Sequence, residues 1–189
     1  GERKKLAHKL GGKLCAVLLG ENIESKVDDV ACRGADKVYL VDAPQLKNYQ
    51  DDPYTKVIVS LAEEYKPEII LCGATVIGRS LVSRVAIKID AGLTADCTGL
   101  DIDEKDRLLL QTRPAFGGNI MATILTEKAR PQMASVRPYV MPCPPCQSGR
   151  TGQVIVQSFG LSEDQVTTKI LEVIPLASEG TVDIASADI

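Results

Sequence analysis

The sequence contains only one histidine and very few aromatic residues. Tryptophan is absent, aromatic residues make up 4% of the 189 residues, and the histidine is His8. Acidic and basic residues are interleaved with a formal net charge of −3, so the chain offers neither a basic surface nor many rings on which bases stack, and nucleic-acid binding is set aside. No Ser-His-Asp or Cys-His catalytic set can be assembled, since there is only one histidine, and we expect His8 on the solvated side of a helix.

Long hydrophobic runs are lacking as well. No apolar stretch approaches the roughly 20 residues that a helix needs to cross a bilayer, and the basic start "GERKKLAHKLGGK" has no apolar core of signal-peptide type. We therefore expect no membrane insertion and a location in the bacterial cytoplasm, with the mitochondrial matrix as the alternative. The 44% apolar and 25% charged residues are typical of one soluble globular domain.

The six cysteines are scattered along the chain. Cys15 and Cys72 lie inside apolar strand-like runs, whereas Cys32 and Cys97 have no evident partners. Cysteines of this kind are usually buried thiols in a reducing compartment, and that is the expectation here.

The remaining two cysteines, Cys143 and Cys146, form a CxxC pair in the loop "MPCPPCQSGRTG". A structural zinc site needs two further ligands, and a thioredoxin-type pair needs a helix behind it. An incidental or locally structural role is therefore favoured, half a metal site or a redox pair stays open, and no metal site is predicted.

Two hydrophobic periods alternate in the first half of the chain. The continuous apolar runs "KLCAVLLG", "DKVYLVD" and "EIILCG" are separated by helical patterns, among them "ENIESKVDDVACRG", "PYTKVIVSLAEEYK" and "GRSLVSRVAIKID". This alternation predicts an α/β fold in which helices cover both faces of a parallel sheet.

The pattern changes after about residue 93. The extended segments "GLTADCTGLDI", "RLLLQTRPAFGGN", "NIMATILTE" and "QMASVRP" follow one another without helices, which predicts antiparallel additions to the sheet. Further on, "QVIVQSFG" and "TTKILEVIPL" are predicted strands, and "SEGTVDIASADI" is predicted to begin a helix.

The stretch "GATVIGRS" at residues 73–80 follows an apolar run and differs from a phosphate-binding P-loop at one position, where Arg79 replaces lysine. The planar guanidinium of arginine is not equivalent to a compact ammonium. Asp42, the one good candidate for the metal-binding acid, precedes the loop instead of following it. The favoured interpretation of this turn is a helix start in which Gly73 and Gly78 permit a tight turn. Two other interpretations stay open, a working P-loop and a docking surface at the carboxyl edge of the sheet.

The stretch "TRPAFGGNIMATI" contains the second candidate site. Pro114 holds Arg113 extended, and Gly117 and Gly118 allow close approach of a bulky group. One interpretation is a simple hairpin connection. The other is that Arg113, Asn119 and the turn at residues 96–98 converge at one end of the sheet.

Taken together, "GATVIGRSLVSRVAIKIDAGLTADCTGLDI", "LLQTRPAFGGNIMATI" and "RPQMASVRP" resemble the alpha subunit of electron transfer flavoprotein, and the similarity extends over residues 1–189. The resemblance implies a Rossmann-like fold of the adenine nucleotide alpha hydrolase-like type, a doubly wound and mostly parallel sheet. It implies electron transfer between acyl-CoA or other flavin dehydrogenases and an acceptor, without bond-making catalysis by this chain. The turn at residues 73–80 then belongs to a nucleotide-binding-like fold without its own nucleotide.

The resemblance also implies which parts of the family's alpha subunit are present. Residues 1–189 correspond to a single N-terminal α/β domain, whereas the family's first strand and its C-terminal FAD-binding domain are not included. The start in a helix without an initiator Met and the end at "VDIASADI" agree with a fragment.

The partner and site residues follow from the same resemblance. The family's N-terminal domain forms a heterodimer with the beta subunit, which holds a second FAD in electron-bifurcating members. Arg113, Gly117, Gly118 and Asn119 are expected to face that flavin, and tight FAD binding by this chain alone is not expected. The alternative function is a free-standing adenine-nucleotide-binding module of a related α/β fold.

Overall fold

The computed structural model describes residues 1–158, 160, 166 and 168–174. This part of the chain forms four α-helices and nine strands, joined by loops and short 3-10 turns. In chain order they are α1 Glu2–Lys9, β1 Cys15–Gly20, α2 Val27–Ala31, β2 Lys37–Asp42, α3 Asp51–Tyr65, β3 Ile69–Gly73, α4 Val76–Lys88, β4 Leu93–Cys97, β5 Gly99–Asp103, β6 Leu108–Ala115, β7 Ile120–Ile124, β8 Gln132–Val136 and β9 Gln153–Val156.

The strands form three sheets of three. Two are parallel, with the orders β1-β2-β9 and β3-β8-β4, and the third is antiparallel, with the order β5-β6-β7. The predicted α/β fold with parallel strands and antiparallel additions is therefore confirmed.

Two of the strands predicted to be antiparallel are in fact parallel. β4 and β8 both run with β3, and β8 lies between its two neighbours. The reason is burial: residues 132–135 of β8 are all buried, and a strand buried on both faces belongs in the interior of a parallel sheet. The chain reaches this position through a long connection after β7, not through a hairpin.

Alternate side chains of β2 pack on opposite faces, as the doubly wound arrangement requires. Val38 and Leu40 pack in a core cluster with Val27 of α2. Tyr39 and Val41 face the other way and pack against α3. Both faces of this strand are thus covered by helices.

The β3-β8-β4 sheet is covered differently on its two faces. On one face, Met133 of β8 packs with Val82 and Val85 of α4. On the other, Ala134 packs with Leu6 of α1 and with residues of the antiparallel sheet. Because β3, β4 and β8 are parallel, their carboxyl ends meet at one edge, where the candidate site lies.

Several predicted elements differ in extent. The helical pattern of residues 21–34 forms only α2 and the preceding 3-10 turn Glu24–Lys26. The strand predicted in "TTKILEVIPL" is wrong, since residues 168–174 form neither helix nor strand. Its apolar side chains are exposed, Leu171 to 89%, and therefore lack the packing that holds a strand in a sheet. The helix predicted in "SEGTVDIASADI" lies outside the described residues.

Candidate functional site

The turn between β3 and α4 does not have the shape of a P-loop. Thr75 caps the helix, its Oγ1 accepting a hydrogen bond of 3.0 Å from the backbone N–H of Gly78, and α4 begins at Val76. Gly78 therefore lies in the first helical turn, not in a phosphate-cradling loop. A Cβ at Gly78 would lie 2.0 Å from the carbonyl oxygen of Gly73, so this glycine is required for close packing of α4 on β3. The structural interpretation of the turn is confirmed, and the P-loop alternative is wrong.

Arg79 closes this turn instead of extending from it. Its Nε donates to the carbonyl of Ala74 at 2.9 Å, and its Nη2 donates to Asp96 Oδ1 at 3.1 Å. The guanidinium thus ties the start of α4 to the end of β4. Its donors are used within the chain, which leaves it poorly placed to bind a nucleotide phosphate.

Asp96 is the centre of a charge cluster at the carboxyl edge of the sheet. Its Oδ2 accepts two hydrogen bonds from Arg137, at 3.3 Å from Nε and 2.8 Å from Nη2, and its other oxygen accepts from Arg79. The Arg137 hydrogen bonds hold the pKa of Asp96 below its usual value against partial desolvation, and the charges of Arg137, Arg79 and Arg113 add to this effect. Asp96 has φ 62°, and its backbone N–H donates to Ser135 Oγ at 2.9 Å, which fixes the carboxylate at this edge.

Beside this cluster lies an open groove of about 610 Å³. It is lined by Arg113, Pro114, Ala115, Phe116, Gly117, Gly118, Met121 and Arg137. Within the described residues the Arg113 guanidinium has no hydrogen bond or ion pair, although its charge acts on Asp96. A half-buried cation therefore lines an open surface next to Arg137, which is paired with Asp96.

The structure brings some of the predicted site residues together, and their contact with a flavin stays a prediction. β6 and β7 form an antiparallel hairpin, as the hairpin interpretation predicts, and Arg113, Gly117 and Gly118 line one groove. Gly117 and Gly118 have φ of 67° and 91°, so glycine suits the backbone of this turn. Asp96 and Arg113 do come together. Asn119 does not line the groove, and its backbone N–H donates to the carbonyl of Phe116.

Four groove residues were not singled out from the sequence: Ala115, Phe116, Met121 and Arg137. Arg137 precedes Pro138 after an apolar strand, which repeats the pattern of Arg113 and Pro114. That repetition is a signal that was available in the sequence. Met121 gives no comparable signal, because exposure of an apolar residue in a strand depends on what covers it.

The hairpin next to the groove carries exposed apolar side chains, which we call the apolar hairpin surface. Its members and their exposed fractions are Phe116 81%, Ile120 53%, Met121 57%, Ile124 39% and Leu125 43%. Within the described part of the chain β7 pairs only with β6, so it is also an edge strand there. A cluster of exposed apolar residues on an edge strand is typical of a surface that another protein covers.

The cysteines differ from the sequence prediction. Cys32 and Cys146 form a disulfide, so the expectation that Cys32 is an unpaired thiol is wrong: the loop after β8 returns to the end of α2 and brings Cys146 to it. Cys15 is exposed at the first position of β1, which also contradicts its predicted burial. Cys72 is half-buried and Cys97 is buried.

The CxxC pair is thus divided, because Cys146 is bonded to Cys32 and Cys143 is a free, exposed thiol. In the described part of the chain no group of three or more His, Cys, Asp or Glu side chains is arranged to hold a metal ion. His8 is exposed on α1, as expected. Across the described residues no helix is both long and apolar enough to span a membrane.

Comparisons with known proteins agree on one family. A family model described as "Electron transfer flavoprotein domain" matches residues 2–160. The chain is 52% identical over its full length to the "Electron transfer flavoprotein subunit alpha" of Thermoanaerobacterium thermosaccharolyticum, and 43% identical to the protein of that name from Megasphaera elsdenii. It is 39% identical to the "Acryloyl-CoA reductase electron transfer subunit beta" of Anaerotignum propionicum. All of this chain is covered in each case, but it spans only 57%, 56% and 58% of those three relatives.

Proposed function

The chain belongs to the electron transfer flavoprotein family, and from that premise we propose that it is the N-terminal α/β domain of an alpha subunit. In this role it pairs with a beta subunit and belongs to a cytoplasmic carrier of electrons between acyl-CoA or other flavin dehydrogenases and an acceptor. The domain contributes the subunit interface and a positive charge, and it makes no bond of its own.

One observation carries this proposal: the apolar hairpin surface adjoins a groove lined by a cation that is unpaired among the described residues. The other face of the antiparallel sheet is already used, since Ile102 of β5 and Leu109 of β6 are buried against the core. The hairpin therefore projects from a rigid base. Burial of its apolar side chains by the beta subunit would stabilise a heterodimer, with the groove at the edge of the contact.

The family implies FAD, and the groove fits a flavin held by another polypeptide segment. It is open and lined by backbone at Gly117 and Gly118, where no heavy atom lies within 4 Å of a Cβ built on either residue. Arg113 offers charge without a competing hydrogen bond. FAD supplies reversible one- and two-electron chemistry. In this proposal Arg113 sets the charge beside its ring, and Gly117 and Gly118 allow the ring to approach.

Co-expression with the beta subunit tests the proposal. Met121→Asp places a carboxylate on the apolar hairpin surface, and we expect association with the beta subunit to weaken by roughly tenfold or more. The matched control is Ile87→Asp on α4, where the side chain is 81% exposed away from the groove lining. Complex formation is measured by size-exclusion chromatography and flavin content by absorbance.

Two outcomes oppose the proposal. Equal association of both variants would show that the apolar hairpin surface is not the contact. Stoichiometric yellow flavin, or another nucleotide, retained by the 189-residue chain alone through gel filtration would favour the free-standing nucleotide-binding module instead.

A further inference from the structure

Three cysteines lie where α2 meets the segment between β8 and β9. Cys32 follows α2 and forms the disulfide with Cys146, while Cys143 is three residues before Cys146 in the sequence "CPPC". The backbone N–H of Gln147 donates to the carbonyl of Cys32 at 2.9 Å, so the loop lies directly on the end of the helix.

Arg33 holds the third cysteine at the same place. Its Nη1 donates to Cys143 Sγ at 3.5 Å and to the carbonyl of Pro144 at 3.0 Å. Arg33 directly follows Cys32 in the sequence. Its hydrogen bond therefore joins the free Cys143 thiol to a direct neighbour of the disulfide. A sulfur that accepts from a cationic donor is oriented by it, and the sulfur in its thiolate form is what attacks a disulfide.

We propose that Cys32, Cys143 and Cys146 form a thiol–disulfide exchange site whose external reactant is a dithiol reductant. The Cys143 thiolate attacks Cys146 Sγ, the Cys143–Cys146 bond forms, and the Cys32–Cys146 bond breaks. Cys32 leaves as a thiolate and takes up the proton that Cys143 lost, so this step is an isomerisation without electron transfer. A dithiol then reduces the CxxC disulfide, giving up two electrons and two protons and becoming a disulfide itself.

Burial restricts which sulfur of the disulfide can be attacked. Cys32 is only 8% exposed, whereas Cys143 and Cys146 are on the surface. Attack is therefore directed at Cys146 Sγ, and a thiol of the same chain three residues away has a higher effective concentration there than a thiol in solution. Two-residue spacing is also the spacing that disulfide oxidoreductases use for their reactive pair.

The exchange alters what holds the segment at residues 137–152. This segment joins β8 in one parallel sheet to β9 in the other, and it begins at Arg137 beside the groove. Breaking the Cys32–Cys146 bond removes its covalent attachment to α2. Under the cytoplasmic location proposed above, a disulfide is typically catalytic or redox-sensing, which agrees with an exchangeable bond at this position.

Disulfide mapping of the intact protein tests the site. The protein is equilibrated with defined ratios of reduced to oxidised dithiothreitol, quenched with acid, alkylated and analysed by peptide mass spectrometry. In the wild type we expect the Cys143–Cys146 bond at intermediate ratios. In Cys32→Ser that bond becomes the main one, and in Cys143→Ser the original bond persists and is reduced roughly tenfold more slowly. Cys15→Ser, which removes an exposed thiol elsewhere, is the control and behaves as the wild type.

The inference is overturned if Cys143–Cys146 is never found in the wild type or in Cys32→Ser, or if Cys143→Ser is reduced at the wild-type rate. It is also overturned if all three thiols are alkylated without reductant, with or without stoichiometric zinc. These readouts do not depend on flavin or on the beta subunit, so failure here is distinct from failure of the proposed function.

Discussion

At the scale of single residues, the charge balance around Asp96 decides which cation the groove presents. One carboxylate faces three guanidinium groups, and it accepts hydrogen bonds from Arg79 and Arg137 but not from Arg113. Both carboxylate oxygens already have partners, so among the described residues Arg113 keeps its donors free. The same pairing fixes the start of α4 and the end of β8, which gives the groove a rigid wall.

This availability leads to a prediction for the complex with the beta subunit. Arg113→Ala is expected to lower the reduction potential of a flavin beside the groove, by roughly 30 mV or more for a two-electron couple, or to weaken its binding. The reason is that a nearby cation favours the reduced, more negative form of the ring. The potential is measured by redox titration and the flavin content by absorbance.

Two variants separate charge from structure at this position. Arg113→Lys should restore most of the potential, because the positive charge is kept. Arg84→Ala should change nothing, since Arg84 pairs with Asp51 on α3 and does not line the groove. An unchanged reduction potential and flavin content in Arg113→Ala would show that Arg113 has only a structural role.

Asp96 gives a second prediction, on pH dependence. Its pKa in the folded protein is depressed, so its contribution to the free energy of unfolding is present at neutral pH and is lost as the pH falls below about 4. Asp96→Asn should therefore destabilise the protein by about 1 kcal/mol at pH 7 and have much less effect near pH 3. Asparagine tolerates the left-handed backbone at this position, so the change removes the charge and one of the two acceptor oxygens without straining the backbone.

Urea denaturation of both proteins at the two pH values measures the effect. An equal difference between wild type and Asp96→Asn at pH 7 and pH 3 would show that ionisation of Asp96 does not contribute to stability.

At the scale of elements, Gly78 sets the distance between α4 and β3. A Cβ at position 78 would collide with the carbonyl oxygen of Gly73. This oxygen is a backbone atom, so it cannot move without shifting the end of the strand. Gly78→Ala is therefore expected to destabilise the fold by about 3 kcal/mol, measured as a lower urea midpoint. Gly73→Ala is the matched control, because a Cβ there meets nothing within 4 Å. A similar midpoint for both variants would contradict the packing argument.

The elements also show what the sequence can and cannot predict. The apolar runs at β1, β2 and β3 identify strands of parallel sheets directly, although only β2 is largely buried. β8 was identified as a strand, but its direction depends on a connection whose path leaves no local signal. The glycine pattern at residues 73–80 predicted a helix start, but its position at Val76 became evident only from the Thr75 cap.

The candidate site follows the same rule. Arg113 and the two glycines after it were predictable because Pro114 and the hairpin glycines restrict the backbone locally. The pairing of Cys32 with Cys146 was not, because 114 residues separate them and only the return of the loop to α2 brings them together. Local backbone rules predict the geometry within a hairpin, but they do not predict contacts between residues that are far apart in the sequence.

At the scale of the whole molecule, the two parallel sheets remain separate. In the described chain β1 pairs only with β2, and β3 pairs only with β8, so each strand has one unpaired edge. The strands are also incompletely covered. Val17 of β1 is 44% exposed, and no residue of β3 is fully buried. Parallel strands are usually buried on both faces, so these edges suit a further strand supplied by another segment or another chain.

The last prediction concerns those edges. The 189-residue chain alone is expected to self-associate at micromolar concentration, because unpaired strand edges with exposed apolar residues favour edge-to-edge pairing. Val17→Lys places a charge on β1 and should shift the sedimentation profile toward monomer. Val76→Lys adds the same charge on α4, where the side chain is 90% exposed, and should leave association unchanged. A stable monomer in the wild type would show that the two edges are protected within the chain itself, since no other molecule is then present to pair with them.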